Sequence, residues 1–387
     1  MTIKLYDQDS HLQHFTAAVL SCIPQGENRW GIILDQTAFF PEGGGQPADQ
    51  GTLTGPAATP VAVLDVQEQP KGIVHICGGP LPQGAQVQGT LDWPLRFRRM
   101  QCHSGEHVLS GLAHRLYGCN NVGFHMGEAE VILDFDRELS PEELQRLEDE
   151  ANRVIWENRP VTADYPTPAA LEALDYRSKL ELTEDVRIVT IQGCDVCACC
   201  APHVSFTGEI GLVKLINAMR HRGGMRLWMA AGSLALADYR RKQENVAAIS
   251  AALSVKQGEA AQGVARVQQE LQDLGLALKE AKHALVAEKC KALPEAAGNL
   301  CLFEPGLDIP GLRTLVNAGV VRCGGICAAF TGSDKDGYRC VMGSQTVDLQ
   351  AQAKAIHQAL GGKGGGQPGM IQGSVTASRA EIEAYFA

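Results

Sequence analysis

A chain of 387 residues with 45% hydrophobic and 20% charged content can bury two or three cores and is too apolar to be disordered. Its longest apolar runs, such as Val61–Leu64 and Ile326–Phe330, fall short of the roughly 18 residues that cross a bilayer. Met1–Asp7 lacks the apolar core of a secretory signal, so the chain is expected to stay in the cytoplasm. A formal charge of −10 excludes a protein that coats nucleic acid through its overall field, so RNA contact would need local patches.

Residues 1–92 read as a β-rich module. Short alternating runs (Trp30–Leu34, Val61–Val66) are separated by Gly/Pro turns such as Pro41–Pro47, and a barrel or curled sheet is expected. From Asp92 the period changes to that of a helix over Arg98–Tyr117, with Gly118 as its stop. A strand is expected at Val131–Asp136. Ser140, Pro141 and Glu143 then form a capping box that opens a helix running to about Asn158. Helix-strand alternation is expected to continue to Gly232, so residues 93–234 form a second, α/β domain. Between residues 235 and 293 Val264, Val267, Leu271, Leu274, Leu278, Ala281 and Leu285 recur at steps of three and four, the spacing of a coiled-coil seam. Ser254 followed by Gln257 predicts a helical hairpin or arm that breaks near Ser254, where the second helix is capped. Residues 294–387 form a small α/β unit with a glycine-rich segment and a last helix around Arg379–Phe386. The fold class is α+β.

Three basic runs, Arg96–Arg99, Lys214 with Arg220–Arg222 and Arg226, and Arg240–Lys242, are the RNA-facing candidates; each also reads as a solvated face balanced by nearby acids. Thirteen cysteines, an odd number in a chain that needs no staples, argue for free thiols. Their density at Cys194, Cys197, Cys199 and Cys200 points to metal or redox chemistry.

His103 and His107, at i and i+4, lie on one helix face and can share an ion. Cys199 and His203 repeat that spacing in a Pro/Cys-rich loop, so two arms distant in sequence can close a four-ligand site of imidazoles and thiolate, which suits zinc. Two other arrangements remain open: Cys194 and Cys197 with Cys199 or Cys200 can make a separate thiolate site or supply the ligand in place of Cys199, and His125 can reach the cluster. His103–His107 also matches H-x-x-E-H, with Glu106 as the general base of a metallopeptidase and a downstream carboxylate as third ligand.

The ordered conjunction of Leu34–Gly51 (with Gly43-Gly44-Gly45-Gln46), His103-x3-His107, Cys199-x3-His203 and Thr207–Gly211 resembles the editing region of alanyl-tRNA synthetases, and more closely their free-standing AlaX relatives. Leu360–Ser374 resembles the DHHA1 domain that ends the synthetase and the long AlaX form. The loop departs from the family's Cys-Gly-Gly-Thr-His, reading Cys199-Cys200-Ala201-Pro202-His203. The resemblance implies a β-barrel-like module (1–92), a zinc-binding editing domain (93–234), a helical arm (235–293) and a DHHA1-like tRNA-binding and dimerisation domain (294–387). It implies a Zn2+-dependent hydrolase for tRNA(Ala) mischarged with serine or glycine, with His103, His107, Cys199 and His203 as ligands and a homodimer formed through the C-terminal arm. The chain starts at the glycine-rich module, so no charging of tRNA is expected. Thr37 and Gln46 resemble the positions that meet the serine hydroxyl, the polar group that a site must use to reject alanine. A metallopeptidase and a non-catalytic tRNA-binding module are the alternatives.

Overall fold

Alternating apolar residues in the first ninety positions close a six-stranded antiparallel barrel. Its strands are β1 (His14–Pro24), β2 (Trp30–Leu34), β3 (Gly51–Thr54), β4 (Pro60–Gln69), β5 (Gly72–Cys77) and β6 (Gln86–Leu91), in the order β1-β2-β5-β4-β3-β6. The inward set, including Phe15, Val19, Ile32, Leu34, Leu53, Val66 and Val87, fills the interior, and closure leaves no unpaired edge. The computed structural model describes residues 2–128, 130–178 and 186–387. By internal packing the chain divides into Met1–Ala247 and Ala248–Ala387.

Helix α1 spans Trp93–Tyr117 and starts earlier than its apolar period suggests. Asp92 accepts the Leu95 N–H as N-cap, Pro94 sits in the first turn, and Gly118, at φ 61°, caps the other end. Every residue from Met100 to Ala113 is buried, because one face meets the barrel loops and another meets an antiparallel sheet. That sheet has the order β12-β13-β8-β7, from β7 (Asn121–Met126), β8 (Val131–Phe135), β12 (Val213–His221) and β13 (Gly224–Ala231). Gly105 and Gly111 permit the approach: a Cβ on Gly111 would lie 2.7 Å from the Asp195 side chain and the Cys194 carbonyl. Helix α2 (Pro141–Trp156) carries the capping box read from Ser140 and Glu143.

Past α2 the expected helix-strand alternation fails. Strands β9 (Val161–Asp164), β10 (Ile188–Ile191) and β11 (Asp195–Ala198) form an antiparallel three-stranded sheet, and only a five-residue helix, Pro168–Glu172, intervenes among the described residues. Apolar runs of four to eight residues fit a strand or a buried helix equally well, and here strand pairing prevails.

Helix α3 (Gly232–Leu253) ends where the break was expected, but not by the expected device. Ser254 does not cap the next helix; it takes a left-handed φ of 52° and closes α3, and α4 (Ala260–Lys291) begins after a short turn at Gln257–Glu259. In the C-terminal unit, β14 (Leu300–Phe303), β15 (Ile326–Ser333), β16 (Gly337–Ser344), β17 (Lys363–Gln367) and β18 (Met370–Val375) form a sheet of order β14-β15-β16-β18-β17. It packs with α5 (Ile309–Gly319), α6 (Leu349–Ala359) and α7 (Arg379–Phe386). The molecule is thus mixed α+β with a closed barrel. Among the described residues no helix is long and apolar enough to cross a membrane.

Candidate metal centre

Helix α1 and the loop after β11 bring four groups to one point. The donor atoms of His103, His107, Cys199 and His203 all lie within 4.8 Å of one another. The Cys199 Sγ is 3.5 Å from His103 Nε2 and 3.4 Å from His203 Nε2. Metal–nitrogen bonds of about 2.0–2.1 Å and metal–sulfur bonds of about 2.3 Å put tetrahedral N and S donors about 3.5 Å apart, so the cluster has the dimensions of a zinc site.

Each imidazole has its outer nitrogen held. His103 Nδ1 meets Gln46 Oε1 at 2.9 Å, His107 Nδ1 meets Asp195 Oδ2 at 3.0 Å, and His203 Nδ1 meets Ser104 Oγ at 3.0 Å. Acceptors at Nδ1 fix the proton there and leave the Nε2 lone pairs facing inward, the tautomer that a metal requires. Asp195 is itself clamped by Arg177, whose Nε and Nη2 reach its two oxygens at 2.7 and 2.8 Å. Burial opposes the Asp195 charge, yet His107 and Arg177 hold its pKa at about 2. Burial likewise opposes a Cys199 thiolate, but His103 and His203 pull it well below the ordinary thiol range. Burial disfavours a charged His107, whereas Cys197, Asp195 and Cys199 raise it well above the usual imidazole value. Burial, followed by the neighbouring His107, drops His203 to about 3. The result is a thiolate among histidines, a donor set matched to a divalent cation. His107, Asp195 and Cys197 also lie close together. Both Asp195 oxygens are engaged by Arg177 and one by His107, so that trio supports the first cluster instead of making a second ion site.

The loop that brings Cys199 and His203 inward is tied down along its length. Arg187 Nη1 donates to the carbonyls of Cys199 and Ala201 at 3.1 and 2.8 Å, and Ser104 Oγ accepts the Val204 N–H. Glu209, from the Thr207–Gly211 motif, accepts the N–H groups of Ser205 and Phe206 and meets His11 at 2.6 Å. On the opposite wall Gly44 and Gly45 adopt φ of 59° and 80°. A Cβ on Gly45 would stand 2.6 Å from the Phe124 ring, which itself lies 4.8 Å from the His103 ring. Buried Arg96 joins α1 to this loop through Asp49, whose Oδ2 also accepts the Phe40 N–H.

A cavity of about 550 Å3 opens on the cluster; Gly44, Gly45, Glu106, Phe124, Tyr165 and Cys200 are among its walls. Glu106 Oε1 accepts from Ser110 and Asn121, and Oε2 lies 3.9 Å from His107 Nε2. Gln46 is fully buried behind His103, and its Nε2 has no hydrogen-bond partner among the described residues. Thr37 is buried too, its hydroxyl bonded to His75 Nε2 at 2.8 Å and accepting the Phe39 N–H. Neither Thr37 nor Gln46 lines the cavity. His125 is exposed on β7 and stands outside the cluster; its neighbour Phe124 faces His103, because successive strand residues point to opposite sides. Cys200 does not join the histidines: its Sγ lies 3.6 Å from where a Cβ of Gly43 or Gly44 would be. No trio of cysteines converges among the described residues. Asp195, not a further ligand, is the carboxylate downstream of H-x-x-E-H, and it binds the outer nitrogen of His107.

Asp195, Arg177, Ser104 and Phe124 were not singled out by the sequence. Only Ser104 carried a signal, its place between two candidate ligands on one helix.

Two segments of the chain match known families. Residues 12–95 match the family of class II (A) tRNA synthetases, and residues 186–227 match the second additional domain of threonyl and alanyl tRNA synthetases. An alanine–tRNA ligase from Ignicoccus hospitalis is 30% identical over 382 residues, covering 95% of this chain and 40% of the ligase. The chain thus spans about 40% of the length of such relatives. Proteins named alanyl-tRNA editing protein Aarsd1 are similar from end to end: that of Rattus norvegicus is 26% identical over 99% of this chain and 97% of its own length. That of Danio rerio is 28% identical over 98% and 96%.

Proposed function

The chain belongs to the AlaX-like family of alanyl-tRNA editing proteins, and from that premise we propose that it is a zinc-dependent deacylase that removes serine, and secondarily glycine, from mischarged tRNA(Ala). The observation that carries this reading is the convergence of three imidazole Nε2 atoms and one thiolate beside a cavity, each imidazole oriented from behind. An ion held by His103, His107, Cys199 and His203 supplies a Lewis acid for an activated ester. Glu106, oriented by Ser110 and Asn121, takes the proton of the attacking water. Gln46 fixes His103 and keeps one buried amide N–H without a partner among the described residues. Such a donor is costly unless something meets it; because Gln46 lies behind His103 and outside the cavity lining, we assign it to positioning His103 from the barrel-loop wall. Thr37 supports that wall through His75 and the Phe39 N–H. Residues 294–387 grip the RNA away from its acceptor end, and the exposed face of α4 supplies a homodimer contact.

The test is release of serine from Ser-tRNA(Ala) by purified protein of measured zinc content. Wild type is expected to deacylate Ser-tRNA(Ala) well ahead of Ala-tRNA(Ala). His107→Ala is expected to lose metal and activity together, and Glu106→Gln to keep metal while kcat falls by about 10²–10⁴. Intact Ser-tRNA(Ala) after incubation with zinc-loaded protein would refute the proposal.

A further inference from the structure

The basic runs visible in the sequence are largely neutralised in the fold. Lys214 pairs with Glu148, Arg220 with Glu138, Arg226 with Asp134, and Arg241 and Lys242 both with Asp238; Arg96 is buried on Asp49. A different cationic cluster, dispersed in sequence, forms beside the metal cavity. Arg115, at the end of α1, and Arg159 both donate to the carbonyl of Gly193 in the turn before β11. Arg177 stands two residues along that turn on Asp195. Arg177 is balanced by Asp195 and Arg159 by the exposed Glu157. For Arg115, itself exposed, no ion pair is found among the described residues.

The same turn floors a second cavity of about 780 Å3, within the size range of small-molecule and cofactor sites. Its walls include His114, Arg115, Asn120, Tyr176 and Arg177, and it shares Val122, Arg177, Ser178 and Cys197 with the metal cavity. An ester at the metal is the end of a strand whose preceding nucleotides must lie in an adjoining groove. An aromatic ring, amide and imidazole groups, and an unpaired guanidinium at the rim are the elements that hold single-stranded RNA.

Resting on the deacylase reading, we infer that this second cavity binds the terminal single-stranded nucleotides of the RNA, with Arg115 holding a phosphodiester at its rim. The aminoacyl ester then passes Arg177 into the metal cavity.

The experiment measures binding of the full chain to an RNA hairpin with a single-stranded 3′ CCA end, against the same hairpin with a blunt end, over a series of salt concentrations. Arg115→Ala is expected to lower the salt slope for the CCA hairpin by about one, with several-fold weaker binding, whereas Arg115→Lys, which keeps the charge, is expected to keep the slope. The blunt hairpin is expected to bind the wild type and both Arg115 variants alike, and zinc content to stay constant. Arg115 also donates to the Gly193 carbonyl, so the Arg115→Lys variant carries the test if Arg115→Ala misfolds. Unchanged affinity of Arg115→Ala for the CCA hairpin, or equal losses for both hairpins, would overturn the inference. Arg115-dependent CCA binding without deacylation would sink the deacylase reading and leave the binding site standing; deacylation with Arg115-independent binding would do the reverse.

Discussion

Asp195 shows how much of the four-residue cluster rests on a group outside it. Its carboxylate receives the outer N–H of His107 and a two-pronged Arg177, so it sets the tautomer of one ligand and is itself prevented from turning inward. Asp195→Asn retains an acceptor but sets an amide N–H against the guanidinium. Supports of this kind are worth about 10–100-fold in metal affinity, and Asp195→Asn is expected to bind zinc that much more weakly in competition with a chelator. Equal affinity would mean that His107 needs no orientation from outside. The four convergent side chains were legible beforehand because i, i+4 spacing has a direct geometric meaning on a helix and, less directly, in a tight loop. Asp195 lies 88 residues from His107, and no spacing rule connects them. Gln46 was legible as a glycine-loop residue, but its attachment to the back of His103 depends on how the barrel loop lies against α1.

At the scale of elements, local chemistry was readable wherever it is self-contained. The Ser140 capping box, the Gly118 stop and the last helix stand where side-chain type placed them. The reading failed where two local devices compete: Ser254 has capping-box spacing but is used as a left-handed terminator. The strands after α2 were missed because their apolar runs carry no period that separates strand from helix. The barrel itself contains a titration hidden from sequence. His75, fully buried on β5, donates from Nδ1 to the Ile32 carbonyl at 3.0 Å and accepts the Thr37 hydroxyl at Nε2. Burial lowers its pKa to about 4, below the ordinary value near 6.5. Folding therefore favours the neutral ring: the full stability is present above about pH 6.5 and is lost as pH falls towards 4. About 2.5 pH units of difference correspond to about 3 kcal/mol. Denaturant unfolding of the wild type is expected to show that loss between pH 6.5 and 4. His75→Gln is expected to be less stable at pH 7 with a flatter profile, and a parallel acid decline in both proteins would remove His75 as the cause.

Over the whole molecule, one pattern read from the sequence stays largely exposed among the described residues. The seam of α4 is present as a helical stripe, but Leu271 and Leu274 are 69% and 67% exposed, and Leu278 and Leu285 are 55% and 50% exposed, with Val264 and Val267 beside them. Spacing made the stripe legible; it carries no sign of what covers it. A stripe of this size is rare on a monomer. A 32-residue helix is about 48 Å long, enough to seat a second copy of itself by knobs-into-holes packing. Burying a leucine or valine contributes about 1.5–3 kcal/mol when complete. Six such side chains from each of two chains, half buried, contribute about 9–18 kcal/mol against an association cost of about 4–15 kcal/mol, which favours association over most of that range. Sedimentation equilibrium is expected to give twice the chain mass at micromolar concentration. Leu271→Glu with Leu278→Glu should return it to the single-chain mass without changing the unfolding of a lone chain, because both side chains already face water there. A wild-type protein that stays single at tens of micromolar would show that the stripe does not serve self-association.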